Sequence, residues 1–150
     1  MGLKEKLQAD LTDAIKARKE TKAGTIRMVL AAITTEEVSG KQARVLTDAE
    51  IITVLSREAK KRREAIDAYA AANRADLVAK EKSESEVISA YLPEQLSDSE
   101  IEKLVQDAIS QTGANGPSGM GQVMKFLQPK IAGKADGRKV SAIVKKAIGS

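Results

Sequence analysis

The chain has 150 residues, a formal net charge of +4, and neither cysteine nor histidine. Disulfides, thiolate nucleophiles, imidazole bases and the usual Cys/His zinc sites are therefore excluded. Tyr69, Tyr91 and Phe126 are its only aromatics, so a core of Leu, Ile, Val and Ala suits close-packed helices and suits a β-sandwich badly.

The elements follow from apolar spacing. Leu3, Leu7, Leu11, Ala14, Ile15 and Arg18 predict a first helix over about residues 2–19, punctuated by Thr21 and Gly24. Ile26, Val29, Leu30 and Ile33 predict a second, fading by Ser39-Gly40, and residues 39–46 read as a polar connection. Thr47-Asp48-Ala49-Glu50 has the spacing of a capping box, in which hydroxyl and carboxylate each satisfy the other residue's amide. It opens a long helix whose seam (Ile52, Leu55, Ala59, Arg62, Ile66, Tyr69) is interrupted by Arg62. That arginine either snorkels or pairs with an acid of another helix. Asn73 marks a break or bend. Leu77, Val87, Ile88, Tyr91 and Leu92 continue the helical spacing, with residues 80–86 as a solvated face. Pro93 disfavours helix at Leu92, which puts the domain boundary there, dividing residues 1–93 from 94–150.

Beyond the boundary, Ser97-Asp98-Ser99-Glu100 repeats the capping pattern, and Ile101, Leu104, Val105, Ala108 and Ile109 face inward up to Gly113. Met120, Val123, Met124, Leu127 and Ile131 form the next helix, expected to stop or kink at Pro129, which has no amide to donate. Asp136 is the expected N-cap of a last helix carrying Val140, Ile143, Val144, Ala147 and Ile148 on one stripe. The expected fold is all-α: an N-terminal antiparallel helical bundle followed by a small three-helix tail. No apolar run approaches the ~20 residues of a membrane span. The first residues lack the apolar stretch of a signal peptide, so the expected location is the cytoplasm, without a membrane partner.

Charge is unevenly placed. Residues 113–150 hold seven basic residues, Lys125, Lys130, Lys134, Arg138, Lys139, Lys145 and Lys146, against Asp136 alone, while residues 1–112 hold 18 basic and 20 acidic residues. A cationic tail on a near-neutral body points to an anionic partner, the bland alternative being a solvated basic surface. The glycines between Gly113 and Gly137 do not make a nucleotide loop. Gln128 stands where a P-loop needs glycine, Ala135 follows Lys134, and Gly119-x-Gly121 lacks its third glycine. The run from Arg57 to Glu64 reads as a charged helix face, partly neutralised by Lys60 and Glu64 at i,i+4, with a second anion-contacting surface as the alternative. No pair of acids is nominated for acid–base work. Three aromatics are too few for the stacking platforms that read single-stranded bases, and Tyr69, Tyr91, Met120 and Met124 read as packing residues.

Tyr91-Leu92-Pro93-Glu94-Gln95-Leu96-Ser97, Met120-Gly121-x-Val123-Met124 and Pro129-Lys130-x-x-Gly133-Lys134-Ala135-Asp136-Gly137 together resemble the GatB/YqeY family. Arg57-Glu58-x-Lys60-Lys61-Arg62 and Asn73-Arg74-x-Asp76-Leu77 resemble its stand-alone YqeY-like members. The resemblance spans essentially the whole chain. It implies an N-terminal helical bundle with a three-helix tail. In the B subunit of glutamine-dependent tRNA amidotransferase, the matching tail follows a kinase-like catalytic domain and helps hold the mischarged tRNA. The resemblance therefore implies, at the level of the family's name, carbon–nitrogen ligase activity with glutamine as amide donor, although this chain lacks the rest of that subunit and its residues do not supply that chemistry.

The expectation is thus a tRNA-binding or amidotransferase-associated accessory protein with no catalytic residues, metal or cofactor of its own. Its partners would be tRNA and amidotransferase or aminoacyl-tRNA synthetase components. The seven tail cations are the expected contacts, aided by helix N-termini near Gly121 and Gly137. The alternative is a helical protein-interaction adaptor whose basic tail keeps it soluble.

Overall fold

The computed structural model describes residues 2–149, and among these there is no strand. The helices are α1 (Leu3–Lys16), α2 (Glu20–Glu37), α3 (Asp48–Ala71), α4 (Ala75–Ser89), α5 (Asp98–Thr112), α6 (Met120–Ile131) and α7 (Gly137–Ala147), with a 3-10 turn, Pro117–Gly119, before α6. The chain is all-α and divides into two compact units, one ending at Leu92 and the other beginning at Pro93.

In the first unit, α1 with α2 and α3 with α4 form two helical hairpins closed by the same device. At the first corner the chain turns left-handed at Arg18 (φ 57°), and the amides of Arg18 and Lys19 donate to the Ile15 and Ala14 carbonyls. At the second, Asn73 (φ 57°) and Arg74 donate to Ala70 and Tyr69 in the same pattern. These paired bonds are a Schellman closure, which satisfies carbonyls the helix end would otherwise orphan. The closure ends α1 at Lys16, short of the expected residue 19. Leu7, Ile26, Ile33, Ile51, Leu55 and Ile88 are fully buried at the centre of the unit.

Thr47 opens α3 with a complete capping box. The preceding connection is anchored by Glu37, whose carboxylate accepts from Lys4 Nζ at 2.8 Å and from the Leu46 amide at 3.2 Å. Leu46 thereby packs into the core although it sits in a polar stretch.

Arg62 pairs rather than snorkels. Its Nη1 lies 3.1 Å from Glu58, and its Nε lies 3.5 Å from Glu84 and 3.9 Å from Glu81. Residues 80–86 are therefore not a uniformly solvated face. Glu81 and Glu84 turn inward to α3, with side chains only 19% and 13% exposed, because a nearly buried guanidinium needs counter-charge.

In the second unit α5 packs on both α6 and α7, and α6 packs on α7. Val105, Ala108, Val123, Leu127, Val140 and Val144 are wholly excluded from solvent. Ser97 caps α5 by accepting from the Glu100 amide, but the Glu100 carboxylate takes the Ser97 hydroxyl at 3.2 Å instead of its amide, so the reciprocal half of the expected box is missing. α6 runs through Pro129 to Ile131 rather than stopping. A proline this close to a helix end forfeits one amide bond while the following turn still closes, Ala132 donating to Gln128 at 3.1 Å.

Candidate nucleic-acid interface

The tail cations sit on a frame that fixes one turn tightly. Gly133 takes a left-handed conformation (φ 74°), and the amides of Lys134 and Ala135 fold back onto the Ile131 carbonyl at 2.8 and 3.2 Å. The segment entering the unit then clamps the turn from outside. Leu96 donates its amide to the Lys134 carbonyl at 2.8 Å, and Gln95 Nε2 donates to the Gly133 carbonyl at 2.8 Å and to its own segment at Pro93 O, 2.7 Å. Two of the segments that carry the family resemblance are thus hydrogen-bonded to each other. Gln95 and Leu96 are structural parts of the turn that sequence reasoning missed; both segments were visible, but not their contact. Asp136 closes the turn as the N-cap of α7, its carboxylate accepting from the Arg138 amide at 3.1 Å.

The seven cations do not form one patch. Lys130, Lys134, Arg138 and Lys139 gather within ten residues around the turn between α6 and α7. Lys145 and Lys146 lie at the far end of α7, about 10 Å further along at 1.5 Å per residue. Lys125 stands mid-helix on the outer side of α6, away from buried Val123 and Leu127. Lys130 is 3.6 Å from Asp107 and 4.5 Å from the centre of the Phe126 ring, and Lys139 pairs with Asp98. All four of these ion-pair members are well exposed, and such pairs contribute about 0–1 kcal/mol, so they yield readily to a phosphate. Lys125, Lys134 and Lys146 are exposed and make no ion pair among the described residues. Lys146 borders a groove of about 640 Å³ between α5 and α7 that Ile143, Ala147, Glu102 and Lys103 also line.

The two helix N-termini near Gly121 and Gly137 differ in their caps. At α7 the Asp136 carboxylate already occupies the amide end, so an incoming anion meets like charge there. At α6 no side chain caps the start, which follows directly on the 3-10 turn. The run from Arg57 to Glu64 is largely consumed inside the first unit. Arg57 is 3.6 Å from Glu36, Lys61 is 3.4 Å from Glu58, and Arg62 is buried among its carboxylates.

The fold and these surfaces define a class: an all-helical chain of two units, the second a cationic three-helix module with a braced glycine-rich turn. The family model described as Yqey-like protein matches residues 4–148, and the chain belongs to the YqeY-like family. It is similar to "Altered inheritance of mitochondria protein 41, mitochondrial" of Pyrenophora tritici-repentis, 29% identical over 148 residues that span 97% of this chain and 80% of that protein. An "uncharacterized protein" of Schizosaccharomyces pombe is 33% identical over 96 residues, 64% of this chain and 76% of its own. The Eremothecium gossypii protein that shares the first relative's name is 36% identical over 86 residues, 57% of this chain and 46% of its own. None of the described helices is long and apolar enough to cross a membrane.

Proposed function

We propose that the tail binds the sugar–phosphate backbone of tRNA, so that the chain is a non-catalytic accessory to tRNA handling, working beside amidotransferase or synthetase components. The observation that carries this is the braced turn. Lys134 projects exposed and without an ion pair from a backbone held at three points by Gln95 and Leu96 donors and by its own amide. A cation on a pre-organised turn loses less entropy on meeting a phosphate than one on a free tail. With Lys130, Arg138 and Lys139 close in sequence, the surface suits backbone shape rather than base identity.

The test is tRNA affinity as a function of salt. Affinity should fall steeply with salt, and Lys134→Glu with Arg138→Glu should weaken it at low salt by about tenfold or more while flattening the salt slope. Affinity indifferent to both salt and substitution ends the proposal. On this reading no glutamine-dependent amidation of mischarged tRNA by the isolated chain is expected, and an amidation assay checks it.

The groove between α5 and α7 favours a second reading, an adaptor in which a partner helix lies against Ile143 and Ala147. Binding to a partner that survives nuclease and is lost with Ile143→Glu supports it. As to place, relatives named as mitochondrial make that organelle the alternative to the cytoplasm, and fractionation of the cells that make the chain decides.

A further inference from the structure

The corner between α1 and α2, far along the chain from the tail, carries an open, solvent-facing cleft of about 470 Å³ lined by Ala14, Ile15, Arg18, Lys19, Ala23 and Arg27, together with Glu20. That volume falls in the range of small-molecule sites, roughly 300–1,000 Å³. Arg18, Lys19 and Arg27 are exposed and form no ion pair among the described residues, although nearly every other arginine of the first unit does. Three cations and one carboxylate leave the lining at +2. Like charges held around one concavity repel one another, and an anion placed between them relieves that repulsion.

The backbone adds an independent observation. Arg18 occupies the left-handed position of the closing turn (φ 57°), where glycine sits without steric cost and arginine does not. Its guanidinium offers the fold no ion pair in return among the described residues. The rest of the lining is apolar, with Ala14 and Ala23 buried and Ile15 49% exposed.

We propose that this corner binds a terminal phosphate carried on a nucleotide-sized body. The guanidinium forks of Arg18 and Arg27 and the Lys19 ammonium hold the phosphate, and Ile15 lies against the less polar remainder. The site is independent of the tail and stands whether or not the tail binds tRNA. Its ligand is either a free nucleotide or the phosphorylated 5′ end of an RNA.

The test titrates the full ¹⁵N-labelled chain with AMP, adenosine and a 5′-phosphorylated adenylate trinucleotide. Saturable amide shifts are expected at Arg18, Lys19, Ala23 and Arg27 with phosphate-bearing probes and not with adenosine. Arg18→Gly and Arg27→Gln should each weaken binding by about tenfold, the cost of one charge-assisted contact. Arg18→Gly also removes the left-handed arginine, so it should melt no lower than the parent, and lost binding in it is not lost fold. Shifts with the trinucleotide assign the ligand to an RNA end; shifts with AMP alone assign it to a free nucleotide. Three results overturn the site: no shift at these residues with either phosphate-bearing probe, adenosine acting as well as AMP, or affinity unchanged in both variants.

Discussion

Arg62 shows how much one side chain can organise. A single nearly buried guanidinium faces Glu58 on its own helix and Glu81 and Glu84 on α4, while its Nη2 reaches the Met28 sulfur at 3.4 Å and its Nε makes no hydrogen bond. Such a cluster stabilises little against well-packed hydrophobes, because desolvation offsets most of the Coulomb gain. Removing its buried cation is a different matter, since Glu81 and Glu84 then lie largely buried without it and Glu58 keeps only the exposed Lys61. Arg62→Ala is therefore expected to cost about 3–5 kcal/mol by urea denaturation. Replacing Arg62 by Met together with Glu58 and Glu84 by Gln should recover much of that, as the repulsion goes with the charges. A loss below about 1 kcal/mol in Arg62→Ala would mean that the three carboxylates find water unaided. An arginine inside an apolar seam was legible from helical spacing. Its partners were not, because Glu81 and Glu84 sit in a stretch of alternating charge that on its own describes a solvated face.

Between α5 and α6, the tail depends on a glycine that no local rule requires. Gly119 is buried with ordinary backbone angles (φ −85°) at the end of the 3-10 turn. A Cβ there would stand 2.7 Å from the Ala114 Cβ and 3.2 Å from the Ala114 Cα. One of the two backbones must shift to accept it, so Gly119→Ala should destabilise the tail by about 1–3 kcal/mol, the usual cost of overpacking. For a unit of this size that lowers the melting temperature by roughly 4–8 °C per kcal/mol. An unchanged melt would place slack in the turn that the close approach denies. Capping signals were legible at this scale, with Thr47, Ser97 and Asp136 all accepting from the amides their spacing implied. The closeness of Ala114 to Gly119 was not, since both lie in a stretch whose composition says only that it is a loop. The clamp of Gln95 on Gly133 belongs with it, for it joins residues 38 apart.

Each unit of the chain has its own core, and in the first unit the carboxylates carry an acid dependence. In the first, the Arg44 guanidinium, then the Thr47 amide, hold the Glu50 carboxyl down at about 2. Glu37 is lowered by its bond from Lys4 and then by the Leu46 amide. A carboxyl depressed by folding stabilises fully above its unfolded value and loses that contribution as pH falls towards its folded one. The first unit should therefore lose melting temperature between about pH 4.5 and pH 2, a loss that Glu50→Gln diminishes, as circular dichroism against pH will show. If Glu50→Gln leaves the acid dependence untouched, that carboxylate does not carry it. At this scale the sequence alone determined the fold class, the order of the helices and the cationic character of the tail. Periodicity, capping residues and net charge are local or additive, and one chain written in order contains them. Only the tertiary structure decided which carboxylates turn inward, that the motifs around Gln95 and Lys134 brace one turn, and that Arg18, Lys19 and Arg27 line a common cleft. Each of these depends on distances between elements remote in sequence or on the path of a corner, which hydrophobic packing sets and no single window of residues records.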